Sequence, residues 1–145
     1  MFAGEDFKAE EMEATGTKMN LISVGYFKEM SQGRSTDPSI HQIVNKGDSR
    51  LIENICAELD EGCVVIVSPG VTKDVIDESN ESAGTGSAYT DGKWLWPDDL
   101  SYYVRKYNIS IPEDFLETME ENNWENPGGK MDLSDAAIIV DGIEL

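Results

Sequence analysis

The chain is poor in positive charge. Eleven lysines and arginines stand against 29 acids, giving a formal net charge of -18 and pI ≈ 4.1. Phosphate groups repel such a surface, which argues against non-specific nucleic-acid binding and against docking on an anionic membrane. A basic protein partner fits the excess, and so does plain solubility. Histidine is scarcer still: His41 is alone, so no two-histidine metal site or triad with a second histidine exists. Cysteine is limited to Cys56 and Cys63, which form no CxxC pair and no disulfide framework. A reduced, cytoplasmic protein is the reading. No uninterrupted apolar run approaches a membrane span. The first six residues, Met1-Phe2-Ala3-Gly4-Glu5-Asp6, carry neither a basic nor an apolar stretch, so no secretory signal is expected. Internal repeats are lacking.

What is present suits one folded unit. At 145 residues with 39% hydrophobic content, the chain can bury a real core. Residues 1–20 stand apart: Glu5, Asp6, Glu10, Glu11 and Glu13 outnumber Lys8 and Lys18, and Phe7 and Met12 are isolated. They read as an acidic, flexible arm before a domain over residues 21–145, with Met19 a possible alternative start.

Along that domain, residues 21–27 read as a strand and residues 31–38 as a polar loop. A short helix over residues 39–45 turns Ile40, Ile43 and Val44 inward and is broken by Gly47. The clearest helix covers residues 48–61. Asp48 or Ser49 can cap it, Leu51, Ile52, Ile55, Cys56 and Leu59 form its apolar stripe, and Gly62 suits a left-handed C′ position. Cys63-Val64-Val65-Ile66-Val67 is a β-branched run that predicts a buried strand. Ser68-Pro69-Gly70-Val71 predicts a type II turn, residues 73–77 a returning strand, and residues 78–86 a polar loop.

The most informative segment is Thr90-Asp91-Gly92-Lys93-Trp94-Leu95-Trp96-Pro97-Asp98-Asp99-Leu100. Asp-Gly between apolar strands signals a hairpin. The i, i+2 spacing puts Trp94 and Trp96 on one face and Leu95 on the other. The strand is then either buried on both sides or exposes an aromatic face to a partner. Pro97 suits the first position of a helix, with Asp98 and Asp99 at the positive end of its dipole. Leu100, Tyr103, Val104 and Tyr107 make its stripe, Tyr102 projects elsewhere, and Asn108 ends it. Pro112 opens a further helix with Phe115, Leu116 and Met119 inward and Glu113, Glu117, Glu120 and Glu121 outward. Asn126-Pro127-Gly128-Gly129 reads as a loop and residues 136–143 as a last strand and turn. Hairpins mixed with helices give an α+β fold, a mostly antiparallel sheet with helices on at least one face.

The Trp hairpin and the helices after it, with Tyr102-Tyr103-Val104, Tyr107, Pro112-Glu113 and Phe115, resemble a pattern in small uncharacterised bacterial proteins associated with toxin and immunity loci. Val24-Gly25-Tyr26-Phe27 and Ser68-Pro69-Gly70 match it too. The resemblance spans residues 21–119 and brings no catalytic residue with it.

No constellation of catalytic residues stands out. His41 beside Ile40 reads as a surface or cap residue before it reads as a general base. Cys56 on an apolar helix face reads as an inert thiol, and a Cys63–His41 dyad lacks any flanking signature. Adjacent acids on a helix point about 100° apart and usually mark a solvated face. Asp77, Ser79, Asn80 and Glu81 miss the glycine of a calcium loop. Gly84-Thr85-Gly86 and Ser68-Pro69-Gly70 lack the context of a phosphate cradle. Core packing is the plain reading of Trp94 and Trp96; an exposed aromatic face would mark an interface.

These readings lead to an acidic, non-enzymatic binding protein. Its most concrete form is an immunity or inhibitor protein that neutralises a basic toxin, such as a nuclease, with no cofactor and no metal. The contact residues expected are Asp98, Asp99, Tyr102, Glu113, Glu117, Glu120 and Glu121. The alternative is a small intracellular enzyme or ligand-binding protein with a pocket near the Trp hairpin, and a third reading is a self-associating structural protein. Oligomeric state is not specified by the sequence.

Overall fold

A computed structural model describes residues 18–77 and 81–145. In chain order the strands are β1 (Lys18–Ser23), β2 (Cys63–Ile66), β3 (Thr72–Lys73), β4 (Ser82–Gly84), β5 (Ala88–Thr90), β6 (Trp94–Pro97), β7 (Ala137–Val140) and β8 (Ile143–Glu144). The α-helices are α1 (Ile52–Asp60), α2 (Leu100–Tyr107) and α3 (Glu113–Glu121). One curled six-stranded sheet runs β2-β5-β6-β1-β7-β8, and β3 pairs with β4 apart from it. The fold is α+β and the sheet mostly antiparallel: β2 with β5, β5 with β6, and β7 with β8. Central β1 is the exception, because it runs parallel to β6 on one side and to β7 on the other.

The hairpin forms as its residues dictate. Thr90 pairs with Leu95 and Tyr89 with Trp96. Gly92 takes φ +101, a conformation that L side chains resist. Asp91 Oδ1 accepts from the backbone N–H groups of Lys93 at 2.9 Å and Trp94 at 2.8 Å, so the turn's donors are satisfied locally. Trp94 and Trp96 then point at α3, with ring centroids 5.3 and 5.4 Å from Phe115. Trp94 Nε1 donates to Thr118 Oγ1 at 3.0 Å. Leu95 faces the other way and packs with Leu21 and Ala88. Both faces of β6 are therefore buried. The sheet curls until Val65 of β2 and Ile138 and Val140 of β7 reach the same small cluster.

The helical side holds the main core. Ile55, Cys56 and Leu59 of α1, Leu100, Tyr103 and Val104 of α2, and Phe115 and Met119 of α3 converge on the Trp face, as the stripes predict. Asn108 ends α2 in the left-handed region at φ 48. The short helix at residues 39–45 is a 3-10 turn, Ile40–Gln42, with Ile40 fully buried. The helix expected over residues 48–61 opens as a 3-10 turn capped by Asp48 and becomes α1 only at Ile52. The loop at Asn126 continues into a 3-10 turn, Pro127–Lys130.

Several local expectations are corrected. Residues 1–17 of the expected arm lie outside the described residues, but residues 18–20 pair with Ala137, Ile138 and Ile139 and belong to the sheet. The strand expected through Phe27 stops at Ser23, since Gly25 turns the chain at φ +80. β2 is an edge strand with only alternate residues covered, and Val67 beyond it is 75% exposed. Gly70 is not left-handed, so residues 68–71 make no type II turn, and β3 pairs with β4 rather than returning along β2. Within the loop expected over residues 78–86, residues 78–80 lie outside the described residues and Ser82–Gly84 form β4. Gly62 is likewise not left-handed; it is glycine because a Cβ there would sit 2.8 Å from Trp96 Cζ2 and 2.9 Å from Tyr89 Cβ. Pro97 closes β6 instead of opening α2, which starts at Leu100.

Truncating either indole removes the packing between sheet and α3. Trp96→Ala and Trp94→Ala should each cost about 3–5 kcal/mol, read from denaturant melts. Wild-type stability in both would place the weight of the core elsewhere.

Candidate functional site

Three strands that run in one direction end at one edge. The carboxyl ends of β1, β6 and β7 deliver Ser23, then Asp98 and Asp99, and Asp141 to the same rim. Where connections from neighbouring parallel strands diverge, no element covers the strand ends and a crevice opens. Gly25 shapes this one. A Cβ there would lie 2.7 Å from Leu100 Cδ2, so only glycine lets the chain fold back over the start of α2. Tyr26 follows and stands between two cavities. One, of about 400 Å³, is walled by Val24, Phe27, Pro38, Ile43 and Pro112. The other, of about 360 Å³, is walled by Ile66, Ala88, Leu95, Val140, Ile143 and Leu145. Ser23, Tyr26 and Asp37 line both.

The rim is acidic. Ser23 donates to Asp141 through its N–H at 3.0 Å and its hydroxyl. Partial burial opposes ionisation of Asp141, but these bonds and Arg34 hold its carboxyl below the usual range. Arg34 spans Asp141 at 3.7 Å and Asp37 at 4.0 Å and is itself 62% exposed. The Tyr26 hydroxyl is pushed up to about 12 by burial and by Asp99, Asp98 and Asp37.

The seven residues expected to meet a partner are not equally exposed. Asp99 is 1% exposed, accepts from Gln32 Nε2 at 3.2 Å, and has its carboxyl raised by burial, so it leaves the contact set. Asp98 clamps the preceding loop, accepting from the N–H of Thr85 at 3.1 Å and of Gly86 at 3.3 Å. Tyr102 donates its hydroxyl to Asp74 at 2.7 Å. Both side chains are half-buried and tied to internal partners. Glu113, Glu117, Glu120 and Glu121 are exposed on α3, as their spacing predicts.

Two further buried carboxyls drew no attention in the sequence. Asp74 accepts from the hydroxyls of Tyr102 and Tyr107 and from the N–H groups of Ile76 and Asp77, the last two at 2.8 Å. Burial raises it, but Tyr107, Asp77, Tyr102 and Ile76 together bring it down to about 2. Lys106 joins the cluster, 2.6 Å from Glu81 and 3.5 Å from Asp74. Glu58 of α1 is the opposite case. It is fully buried, neither carboxyl oxygen has a hydrogen-bond partner, and burial followed by Asp91 and Glu61 pushes it up to about 7. Asp91 Oδ2 and Trp96 Nε1 are also buried without partners.

The remaining candidates are plain. His41 is exposed, and its N–H donates to Ser39. Cys56 is fully buried, and burial pushes its thiol up to about 11. Cys63 Sγ faces the Met131 carbonyl at 3.8 Å. Ser68 and Ser87 tie the two glycine-containing loops together, Ser68 N–H donating to Ser87 Oγ at 2.9 Å. Among the described residues no helix is long and apolar enough to cross a membrane.

No protein family, curated protein or solved structure matches this chain. Its own geometry defines the class: an α+β domain with an acidic helix face and an apolar cleft at the ends of three parallel strands.

Glu58 ties stability to pH. Its folded pKa lies above the ordinary 4.5, so it adds no pH-dependent cost where both states are protonated. Stability should fall as pH rises from about 4.5 through about 7 and stay lower beyond. The loss should be roughly 2–3 kcal/mol. Glu58→Gln, neutral throughout, should remove that part of the slope in denaturant melts from pH 5 to 8. Equal slopes in both proteins would show that Glu58 does not carry the effect.

Proposed function

We propose that this chain is an acidic, non-enzymatic binding protein for a basic protein partner. In its most concrete form it is an immunity or inhibitor protein that neutralises a basic toxin domain, such as a nuclease. The observation that carries the reading is the outer face of α3. Glu113, Asp114, Glu117, Glu120 and Glu121 are exposed there, and the helix contains no lysine or arginine. The ion pairs among the described residues lie elsewhere, on Arg34, Arg50, Arg105 and Lys106. Glu113, Glu117 and Glu121 repeat at i, i+4, where like charges destabilise a helix by about 0.2–0.5 kcal/mol per pair. A cationic surface laid on this face turns that repulsion into attraction. Phe115 and Met119 lock the helix onto the core, so the acids are held in place before binding.

The alternative, a pocket near the Trp hairpin, also has an observation in its favour. Ala88 and Leu95 of that hairpin wall one of the two cavities.

Exposed acids steer encounter more than they hold a complex. The joint reversal Glu117→Lys with Glu121→Lys should lower the association rate with the basic partner by about tenfold at low salt and leave the fold intact. Added salt should slow wild-type association and narrow the difference. The measurement is association kinetics on the partner isolated from the source cells. An association rate indifferent to salt and to both reversals, or a partner whose contact surface is acidic, would refute the proposal.

A further inference from the structure

The strand at one end of the sheet has a neighbour on one side only. β2 pairs with β5, and no strand of the six-stranded sheet lies beyond it. Among the described residues the backbone groups of Val64, Val65 and Ile66 make no hydrogen bond except within that pairing. Residues 131–134 stand off from its first half across a cavity of about 460 Å³ and bond to none of these groups. An open row of donors and acceptors recruits another strand, so sheet edges are normally blunted by lysine, proline or an inward charge. β2 has none of the three. Its one irregularity is the register shift between Val64 and Ile66. Residues 62–72 are the longest uncharged run in the chain, in a protein with 29 acids. Four of the seven large hydrophobic side chains exposed among the described residues fall within it: Val64, Ile66, Val67 and Val71. Apolar exposure gathered in this way marks a contact surface, where scattered single side chains do not.

We propose that β2 pairs with β2 of a second copy of this chain, antiparallel about a two-fold axis, so that the two sheets join edge to edge. Charge selects this occupant. The acidic face of α3 repels its own copy, whereas residues 62–72 bring no charge to the contact. A cationic partner finds no counter-charge in that run. An uncharged β-branched edge is matched by another, and a second copy always supplies one. The two-fold axis makes the contact self-complementary, the same residues serving both sides. Val64 is paired with Tyr89 and Ile66 with Ala88, whose side chains point to opposite faces. Apolar side chains therefore stand on both faces of the edge, and the backbone groups between them supply the bonds. A strand this short buries less than the roughly 1,200–2,000 Å² of a standard interface, so the dimer is weak, with a dissociation constant on the order of 0.1 mM. At a formal -18 per protomer the copies repel at a distance, and salt screens that repulsion. Salt therefore tightens this dimer, while it weakens the pull of α3 on a cationic surface.

Sedimentation equilibrium of the full chain from about 10 μM to about 1 mM, in about 0.05 M and about 0.5 M sodium chloride, tests this. A monomer–dimer equilibrium should appear and tighten by about fivefold or more at the higher salt. Val64→Lys and Ile66→Lys should each weaken it by about tenfold or more. Each lowers the net negative charge and so eases the general repulsion, which makes a loss of dimer specific to the edge. Ile22→Lys places the same charge at a side chain 47% exposed on β1, which has a neighbour on both sides. It should leave the dimer at least as strong as in the wild type. Circular dichroism melts confirm that the three variants fold. Amide hydrogen exchange gives a reading without substitution: N–H groups of Val64–Ile66 that point away from β5 should exchange more slowly as concentration rises. A chain that stays monomeric at about 1 mM in the higher salt would overturn the proposal. So would a dimer indifferent to Val64→Lys and Ile66→Lys, or one that salt weakens. The α3 proposal does not depend on the result, because its acids lie outside residues 62–72.

Discussion

The packing of two indoles against one phenyl ring sets the position of nearly everything else. Trp94 and Trp96 reach Phe115 from one side of a four-residue strand, and that contact fixes how α3 lies on the sheet. Strand alternation then commits Leu95 to the reverse face, where it closes the small cluster with Leu21 and Ala88. Because β6 also pairs with β1 on one edge and β5 on the other, the same four residues join both cores and both halves of the sheet. The glycines follow from this arrangement. Gly62 is bare because Trp96 and Tyr89 occupy the space its side chain would need. Gly25 is bare because Leu100, three residues past the end of the hairpin's second strand, fills the turn above β1.

Most of the described acids stay in water, and those inside are treated in different ways. Asp74 is given hydroxyl and amide donors until the charged form wins over burial. Asp98 and Asp99 are used as local ties, one to the Thr85-Gly86 backbone and one to Gln32. Glu58 is given nothing, and its neutral form is favoured. The first two treatments staple loops to α2 and to the sheet. The third leaves a carboxyl beside Asp91, the residue whose other oxygen organises the hairpin turn. Burial without partners is costly for a charge and much less so for a protonated acid.

How much of this was legible in the sequence follows from the range of the forces involved. The hairpin is written in four adjacent residues, Thr90, Asp91, Gly92 and Lys93, so it was readable. The stripes of α1, α2 and α3 repeat within two turns and were readable for the same reason. The parallel neighbours of β1 were not: its partners lie about seventy and about a hundred and twenty residues away, and pairing carries no local mark. The β-branched run at residues 63–67 looked buried because composition reports apolar surface but not which edge of a sheet it occupies. Asp98 and Asp99 looked like surface acids because capping a dipole and clamping a loop call for the same residue type. The acids of α3 were legible since every third or fourth position is decided by the helix itself. The cleft was hidden: it is assembled from Ser23, Tyr26, Asp37, Ala88, Leu95 and Asp141, which share no motif.

That contrast bears on how the charge works. The acids that the sequence displays openly, on α3, contribute little to the fold and form a face that any cation can approach. The acids that folding gathers at the strand ends sit beside apolar walls, where water is partly excluded and a charge is felt more strongly. The first arrangement suits long-range steering, which falls away with salt. The second ties its carboxylates to Ser23, Arg34 and the Thr85 backbone, so their charge is answered within the fold. The acids of α3 are therefore the ones left for long-range attraction, while those at the strand ends serve the fold.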